Sequence, residues 1–394
     1  VCPYPIFFPL PYACARRSMN TLFEKTTIKN ISLKNRLVRS ATYDGMAEKS
    51  GRVSENQIAL YKALAQGGVG LIITGIVSVH PSGRISAFQN VIDTDNAVPG
   101  LKKLVDAAHE HGAKIAVQLF HGGRECAIYQ KAKHACAIAP SVIVDDPYCD
   151  SDYRVMMENE IIGVIQAFGK AAGRAKTAGF DAVQIHAAHA YLFSQFLSPF
   201  TNRRTDAWGG TFEKRIALLQ NVYLSVRAEV GDNYPVMVKL GVADGFADGL
   251  EFSEGIKAAV QCADWGFDAI EISQGLRGKR YSQTEFRTGI RDVGQEGYFR
   301  TWCRDIKAAV NIPVMMVGGL RSPNLMEDMI RNGEADLISL SRPLIREPDI
   351  VNRWKSGDLQ KSACISCNIC FDALLKGTPL HCGLIIPNLE GPDH

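Results

Sequence analysis

Four segments of this chain repeat one layout: GGVGLIIT at 67–74, GFDAVQIH at 179–186, GFDAIEIS at 266–273 and GEADLISL at 333–340. In each, a glycine ends a helical stretch, because glycine tolerates the left-handed conformation of a helix C-cap. A short turn later the chain enters an apolar run. Asn311-Ile312-Pro313 makes a variant of the same entry before Val314. Apolar runs that read as strands are Leu37–Ala41, Leu71–Gly75, Lys114–Leu119, Ala182–His186, Val236–Leu240, Ala269–Ser273, Val314–Val317 and Leu337–Ser339. Helical patterns fill the intervals at 56–66, 101–111, 160–177, 212–230, 254–265, 298–310 and 323–332. Such alternation predicts parallel βα units, and eight of them close most naturally into an α/β fold, the (β/α)8 TIM barrel. An open doubly wound sheet is the alternative. It is disfavoured because no GxGxxG follows the first strand and polar residues recur at many strand ends.

Composition narrows the function. A net charge of +3 over 394 residues implies no nucleic-acid or membrane preference, and no long apolar run could span a bilayer. A small-molecule substrate is the expected partner, and assembly into a homo-oligomer is compatible with it. Residues 1–20 are apolar but broken by four prolines, with arginines after the apolar run. That order is wrong for a secretory signal. The segment reads as a disordered leader or non-native extension, with Met19 as the start and a transit peptide as runner-up. Eleven cysteines in a chain this long do not read as a secreted disulfide framework. A reducing, cytoplasmic compartment fits. The expected organisation is a barrel over 21–360 and a Cys-rich C-terminal segment over 361–394.

A barrel places its chemistry at the C-terminal strand ends and in the loops that follow. Those positions hold Ser40-Ala41-Thr42, Gly75, Gln118, His186, Lys239, Ser273, Gly318-Gly319 and Ser341-Arg342. Gly318-Gly319 and Ser341-Arg342 suit a phosphate, held by backbone N–H groups and a guanidinium. Gln118 offers donor and acceptor together, which suits a heterocycle edge. Lys239 in a buried strand needs a negative partner, and the N1/O2 region of a flavin is one. The bland readings are a glycine turn with a surface arginine, and satisfied core polar groups. His186 and His189 lack a third ligand at zinc spacing. They read instead as neutral donors to a carbonyl oxygen, with Tyr191 delivering a proton beside them; a core histidine with an aromatic stripe is the alternative. The run after Tyr191 to residue 210 reads as a capping loop. Cys364-x2-Cys367-x2-Cys370-x11-Cys382 matches iron–sulfur ligation such as [4Fe–4S], with zinc next and bare thiols third.

These residues carry a resemblance. KNRLVRSAT at 34–42, GLIITG at 70–75, QLFHGGR at 118–124, the HAAHAYL–FLSP–NRRTDAWGG block at 186–210, VGG at 317–319 and SRPLIREPD at 341–349 resemble the Old Yellow Enzyme family of FMN-dependent ene-reductases. The likeness runs from about Leu22 to Cys382. It is nearest the branch with the YqjM-like reductases and the flavin domains of 2,4-dienoyl-CoA reductase and trimethylamine dehydrogenase.

The resemblance implies a barrel holding FMN, reduced by NAD(P)H and reoxidised by an α,β-unsaturated carbonyl compound. On matching positions Ser40, Ala41, Thr42 and Gly75 would lie along the flavin, Gln118 at its pyrimidine edge and Lys239 at N1/O2. Gly318, Gly319, Ser341 and Arg342 would hold the phosphate. His186 and His189 would bind the substrate oxygen, and Tyr191 would protonate the α-carbon. Lys239 stands where the family usually has arginine, Tyr43 where many relatives have a flavin-tuning Cys or Thr, and Ser341 where glycine is usual. The cysteines resemble the cluster segment of multidomain relatives, which leaves a second reading: an iron–sulfur flavoprotein module that passes electrons to a protein partner. A third is a lyase or aldolase with Lys239 as Schiff-base lysine, which would leave Gln118 and the His–His–Tyr set unexplained.

Overall fold

The computed structural model describes residues 21–149 and 152–385; the expected leader at 1–20 and the last residues of the Cys-rich segment lie outside the described residues. Each apolar run is a strand: β1 Leu37–Arg39, β2 Leu71–Ser78, β3 Lys114–Phe120, β4 Ala182–Ala187, β5 Val236–Gly241, β6 Ala269–Ser273, β7 Val314–Met316 and β8 Leu337–Leu340. The strands pair in parallel in sequence order, and β8 returns to β1 through Ile338↔Leu37, which closes the barrel. Seven helices fill the intervals: α1 Glu55–Gln66, α2 Val98–His109, α3 Glu158–Ala178, α4 Phe212–Val230, α5 Phe252–Trp265, α6 Arg300–Ala309 and α7 Pro323–Arg331. Two short ones follow β8, α8 Arg342–Arg346 and α9 Ile350–Lys355. No helix among the described residues is long and apolar enough to cross a membrane.

The repeat has a structural reason. Gly179 and Gly266 cap α3 and α5 in the left-handed region, at φ +92° and +100°, and Gly333 does the same after α7 at φ +68°. The first copy differs: Gly67 is right-handed at φ −66°, and Gly68 takes the left-handed turn at φ +99°. The repeated aspartate is a clamp. Asp181, Asp268 and Asp336 each accept from an N–H at the start of the preceding strand, within its first two residues: Ile115 at 2.9 Å, Val236 at 2.8 Å and Val314 at 2.7 Å.

Period-two alternation sorts the strand side chains between two environments. Val38, Ala116, Ala182, Met237, Ala269 and Leu337 belong to a buried apolar plug. A short antiparallel hairpin, Thr26–Ile28 with Ile31–Leu33, seals it with Ile28, Ile31 and Leu33. Two residues further along the same strands the positions read Ser40, Gln118, Gln184, Lys239, Glu271 and Ser339. One end of the barrel interior is therefore greasy and closed, and the other polar. The intervening strand residues join the helices in the main hydrophobic cluster.

One expectation changes. The run after Tyr191 is not simply a capping loop: Leu192–Leu197 is a fully buried helix, with Phe193 and Phe196 in the core. Its Ser, Asn and Arg side chains looked loop-like because they serve backbone groups, as when Asn202 donates to Phe196 O and Trp208 O, both at 2.8 Å. The Cys-rich segment packs on the barrel. Ser362 N donates to Arg321 O, Leu380 N donates to Asp44 O, and a helix, α10 Ile369–Leu375, lies between.

Candidate active site

A cavity of about 760 Å³ opens at the polar end of the barrel, within the usual size of ligand sites. Its floor is one hydrogen-bonded chain. Gln118 Nε2 donates to Gln184 Oε1 at 2.7 Å, and Gln184 Nε2 to Glu271 Oε2 at 2.9 Å. Ser40 Oγ donates to Glu271 Oε1 at 2.6 Å, and Lys239 Nζ to Ser40 Oγ at 2.9 Å. Lys239 and Glu271 also form an ion pair at 3.3 Å, with both side chains buried. The register makes this inevitable, because Lys239 lies beside His186 on β4 and Glu271 on β6. The negative partner that Lys239 requires is thus supplied by the protein, a residue the sequence reading passed over.

Above the floor stand His186, His189 and Tyr191. The ring centroids are 4.8 Å apart for His186 and His189, and 5.0 Å for His186 and Tyr191. Both histidines are held well below the ordinary imidazole value, first by burial and then by nearby cations, Lys239 and Arg277 among them. They are neutral at physiological pH. The Ala188 N–H donates to His186 Nδ1 at 3.3 Å, so the ring proton sits on Nε2. His189 Nε2 meets Ser273 Oγ at 2.7 Å. The turn between them is unusual: His189 and Ala190 both have positive φ, +62° and +64°. Two backbone bonds offset that strain, His189 N to Gln274 O and Ala190 N to Gly275 O, both 2.9 Å. Non-glycine residues in this region concentrate at functional sites.

The far wall is the expected phosphate end. Gly318 and Gly319 have φ +129° and +69°, and a Cβ on either would meet the Tyr298 ring within 2.9 Å. Arg342 Nη1 donates to Arg287 O at 2.8 Å and to Asn368 Oδ1 at 2.6 Å. Ser339 Oγ is buried without a hydrogen-bond partner and lines the cavity.

Ser40, Ala41, Thr42, Tyr43, Gln118, His186, His189, Tyr191, Lys239, Gly318, Gly319, Ser341 and Arg342 all line this one cavity. Gly75 is the exception. It sits behind the wall, where a Cβ would meet Thr42 O at 2.9 Å, and its N–H donates to Tyr61 Oη. Burial pushes the Tyr43 phenol up to about 12. Of the four clustered cysteines Cys370 lines the cavity. Cys370 lies close enough to Cys364 and Cys367, and Cys364 to Cys382, to affect one another's ionisation. Among the described residues no three His, Cys, Asp or Glu side chains gather tightly enough for a single metal ion.

A family model for the NADH:flavin oxidoreductase / NADH oxidase family matches residues 21–361. The chain belongs to that family. It is 35% identical to the NADH oxidase of Thermoanaerobacter brockii, over 88% of this chain and 53% of that protein. It is 36% identical to the NADPH dehydrogenase of Halalkalibacterium halodurans, over 83% and 91%. Among solved structures it resembles a 2-naphthoyl-CoA reductase in complex with 2-naphthoyl-CoA (TM-score 0.85, 27% identity, 93% of this chain and 57% of that one). It also resembles the old yellow enzyme homologue of Zymomonas mobilis (TM-score 0.73, 25% identity, 88% and 96%). The chain spans about half the length of the first curated relatives it matches.

The family membership gives the cavity's floor and far wall a test. An amide, an ammonium, a glycine cradle and an unpartnered hydroxyl are the donors that an isoalloxazine edge and a phosphate require. The residues present fit FMN. Sequence reasoning missed Arg277, Glu285 and Glu125, which also line the cavity. The signal available was a cation in the loop that follows β6.

Proposed function

We propose that this protein is an FMN-dependent ene-reductase that uses NAD(P)H to reduce the C=C bond of α,β-unsaturated carbonyl compounds: enones, enals or enoyl thioesters. The observation that carries the reading is the pair of neutral histidines beside a half-buried phenol, above the Lys239–Gln118 floor. When bound, FMN supplies the hydride, received from NAD(P)H and given to the alkene β-carbon. Gln118, Lys239 and Ser40 would hold its ring edge, and Gly318, Gly319, Ser341 and Arg342 its phosphate. Neutral imidazoles donate hydrogen bonds to the substrate oxygen, where negative charge collects during the transfer. His186 Nε2–H already carries the needed proton. Tyr191 O–H then protonates the α-carbon from within the cavity wall.

The test is an anaerobic absorption spectrum of the protein loaded with FMN. The visible flavin band is expected to bleach with NAD(P)H and return with 2-cyclohexenone. A protein that cannot be loaded with FMN refutes the reading.

A second reading is electron transfer through a cluster on Cys364, Cys367, Cys370 and Cys382. It is favoured by the place of Cys370 in the cavity wall and by its nearness to Cys364 and Cys367. Iron and sulfide assays on the same sample decide it; about four irons per chain support a cluster.

A further inference from the structure

Arg277 is a strongly held charge at the substrate end of the cavity, with Glu285 and Glu125 beside it, and no role above uses it. Its Nη2 and Nε donate to Glu285 Oε1 at 2.6 and 2.8 Å, and its Nη1 lies 3.5 Å from Glu125 Oε2. The guanidinium carbon sits 5.4 Å from the centre of the Tyr191 ring and 5.7 Å from that of Phe286. This placement is fixed from below. The Leu276 N–H donates to Asp244 Oδ1 at 2.6 Å. The neighbouring carbonyls of Gln274 and Gly275 receive the N–H groups of His189 and Ala190, the two residues before Tyr191. The loop that carries Arg277 and the turn that carries Tyr191 are therefore one laced unit.

A buried phenol is a poor acid, because the phenolate left behind loses its water. Tyr191, half-buried in the cavity wall, is desolvated enough to hold its proton more tightly than usual; Arg277 works against this by charge and hydrogen bonding, while Glu285 and Glu125 reinforce it. The other titratable neighbours change little at neutral or mildly alkaline pH. His186 and His189 are neutral, Tyr43 keeps its proton to about 12, and Lys239 faces the histidines from the floor.

We propose that Arg277 is the positioning residue that makes Tyr191 an acid: its guanidinium, held between Glu285 and Glu125, balances the charge of the Tyr191 phenolate once the proton has left. The inference rests on the reading of Tyr191 as proton donor. In the step, the Tyr191 O–H bond breaks and a C–H bond forms at the substrate α-carbon. The hydride that NAD(P)H ultimately supplies forms the β-carbon C–H bond with its own electron pair and displaces the C=C π pair, which takes up the Tyr191 proton at the α-carbon; solvent then returns a proton to the phenolate. Glu125 and Glu285 set how much of the arginine's charge reaches Tyr191.

The experiment separates the two half-reactions of the FMN-loaded enzyme. Reduction by NADPH and reoxidation by 2-cyclohexenone are followed anaerobically from pH 6 to 11 in wild type, Arg277→Met, Arg277→Lys, Glu125→Gln and Tyr191→Phe. Arg277→Met is expected to slow reoxidation about tenfold or more, with reduction changed less than about twofold. Its alkaline limb, where activity falls as Tyr191 loses its proton, should move up or pass beyond the top of this range, because a nearby cation has been removed. Arg277→Lys should return the limb toward wild type. Glu125→Gln should move it down. The downward shift in Glu125→Gln leaves Arg277 in place and cannot come from misfolding, so it carries the test even where Arg277→Met fails to fold. A limb that stays in place in Arg277→Met and Glu125→Gln, while Tyr191→Phe slows reoxidation, overturns the role of Arg277 alone. A Tyr191→Phe enzyme that reoxidises as fast as wild type overturns the proton-donor reading, and this inference with it.

Discussion

Replacing Glu271 tests how the cavity floor is held together. Lys239 is 2% exposed and Glu271 fully buried, and their charges meet at 3.3 Å. At an effective dielectric of about 20 that attraction is about 5 kcal/mol, and the desolvation of two ions offsets much of it. The asymmetry decides the outcome. Glu271→Gln leaves a buried ammonium with only Ser40 as partner, and breaking such a pair costs about 3–5 kcal/mol. Lys239→Met leaves the converse, a buried carboxylate that still accepts from Ser40 and Gln184. The double variant, Lys239→Met with Glu271→Gln, buries no net charge and should lie well above either single one. Urea unfolding of FMN-free protein, which avoids stabilisation by bound ligand, measures all four corners of the cycle. Two single losses that simply add in the double variant, to within about 0.5 kcal/mol, would refute the reasoning: the floor would then be a set of independent hydrogen bonds.

The same Glu271→Gln change, in FMN-loaded protein, should make the flavin midpoint potential more positive, because Lys239 then faces the reduced ring uncompensated; equilibration with a reference dye reads it. Gly319→Ala should weaken FMN binding and cost about 1–2 kcal/mol, the penalty of a Cβ in the left-handed region, since it would also strike Tyr298; a fluorescence titration with FMN checks the first part. Asn368→Ala should loosen Arg342 and weaken FMN binding, because the side chain bridges Arg342 and Phe286 O at 2.6 Å each. Burial raises the Asp244 carboxyl to about 6, so the folded state holds this proton where the unfolded state has lost it. Stability from Asp244 is thus lost as pH rises from about 4 to about 6. Urea midpoints of Asp244→Asn across that range should lack this decline, and a difference from wild type that does not vary with pH would count against it.

The barrel was legible because its strands are buried on both sides and so read as apolar runs between glycines. The Thr26–Leu33 hairpin was not, since three-residue strands carry no periodicity. In β6 the run AIEIS shows a lone acid among apolar residues, and β5 shows a lone lysine. Each hints at a partner, but only barrel closure reveals that they are neighbours. Tyr191, His186 and His189 stood out by type and spacing. The double left-handed turn at His189-Ala190 has no sequence mark, because neither residue favours it and the support comes from Gln274 and Gly275, far along the chain. Arg277 and Glu285 were hidden in a loop without pattern. Glycine 75 was misplaced because closeness along a strand end does not say which side of the wall a residue occupies.

The cavity takes its lining from Ser40 through Leu380, and its seam joins β8 to β1 across some 300 residues. That span has a consequence for biogenesis. Chains leave the ribosome from the N-terminus and fold as they emerge, so a nascent chain that has already formed β1 to β6 still lacks the Gly318, Arg342 and Asn368 wall. The prosthetic group is taken up only after the chain through about residue 380 has emerged. In a cell short of riboflavin, the pool that accumulates would be finished, empty barrels rather than stalled fragments.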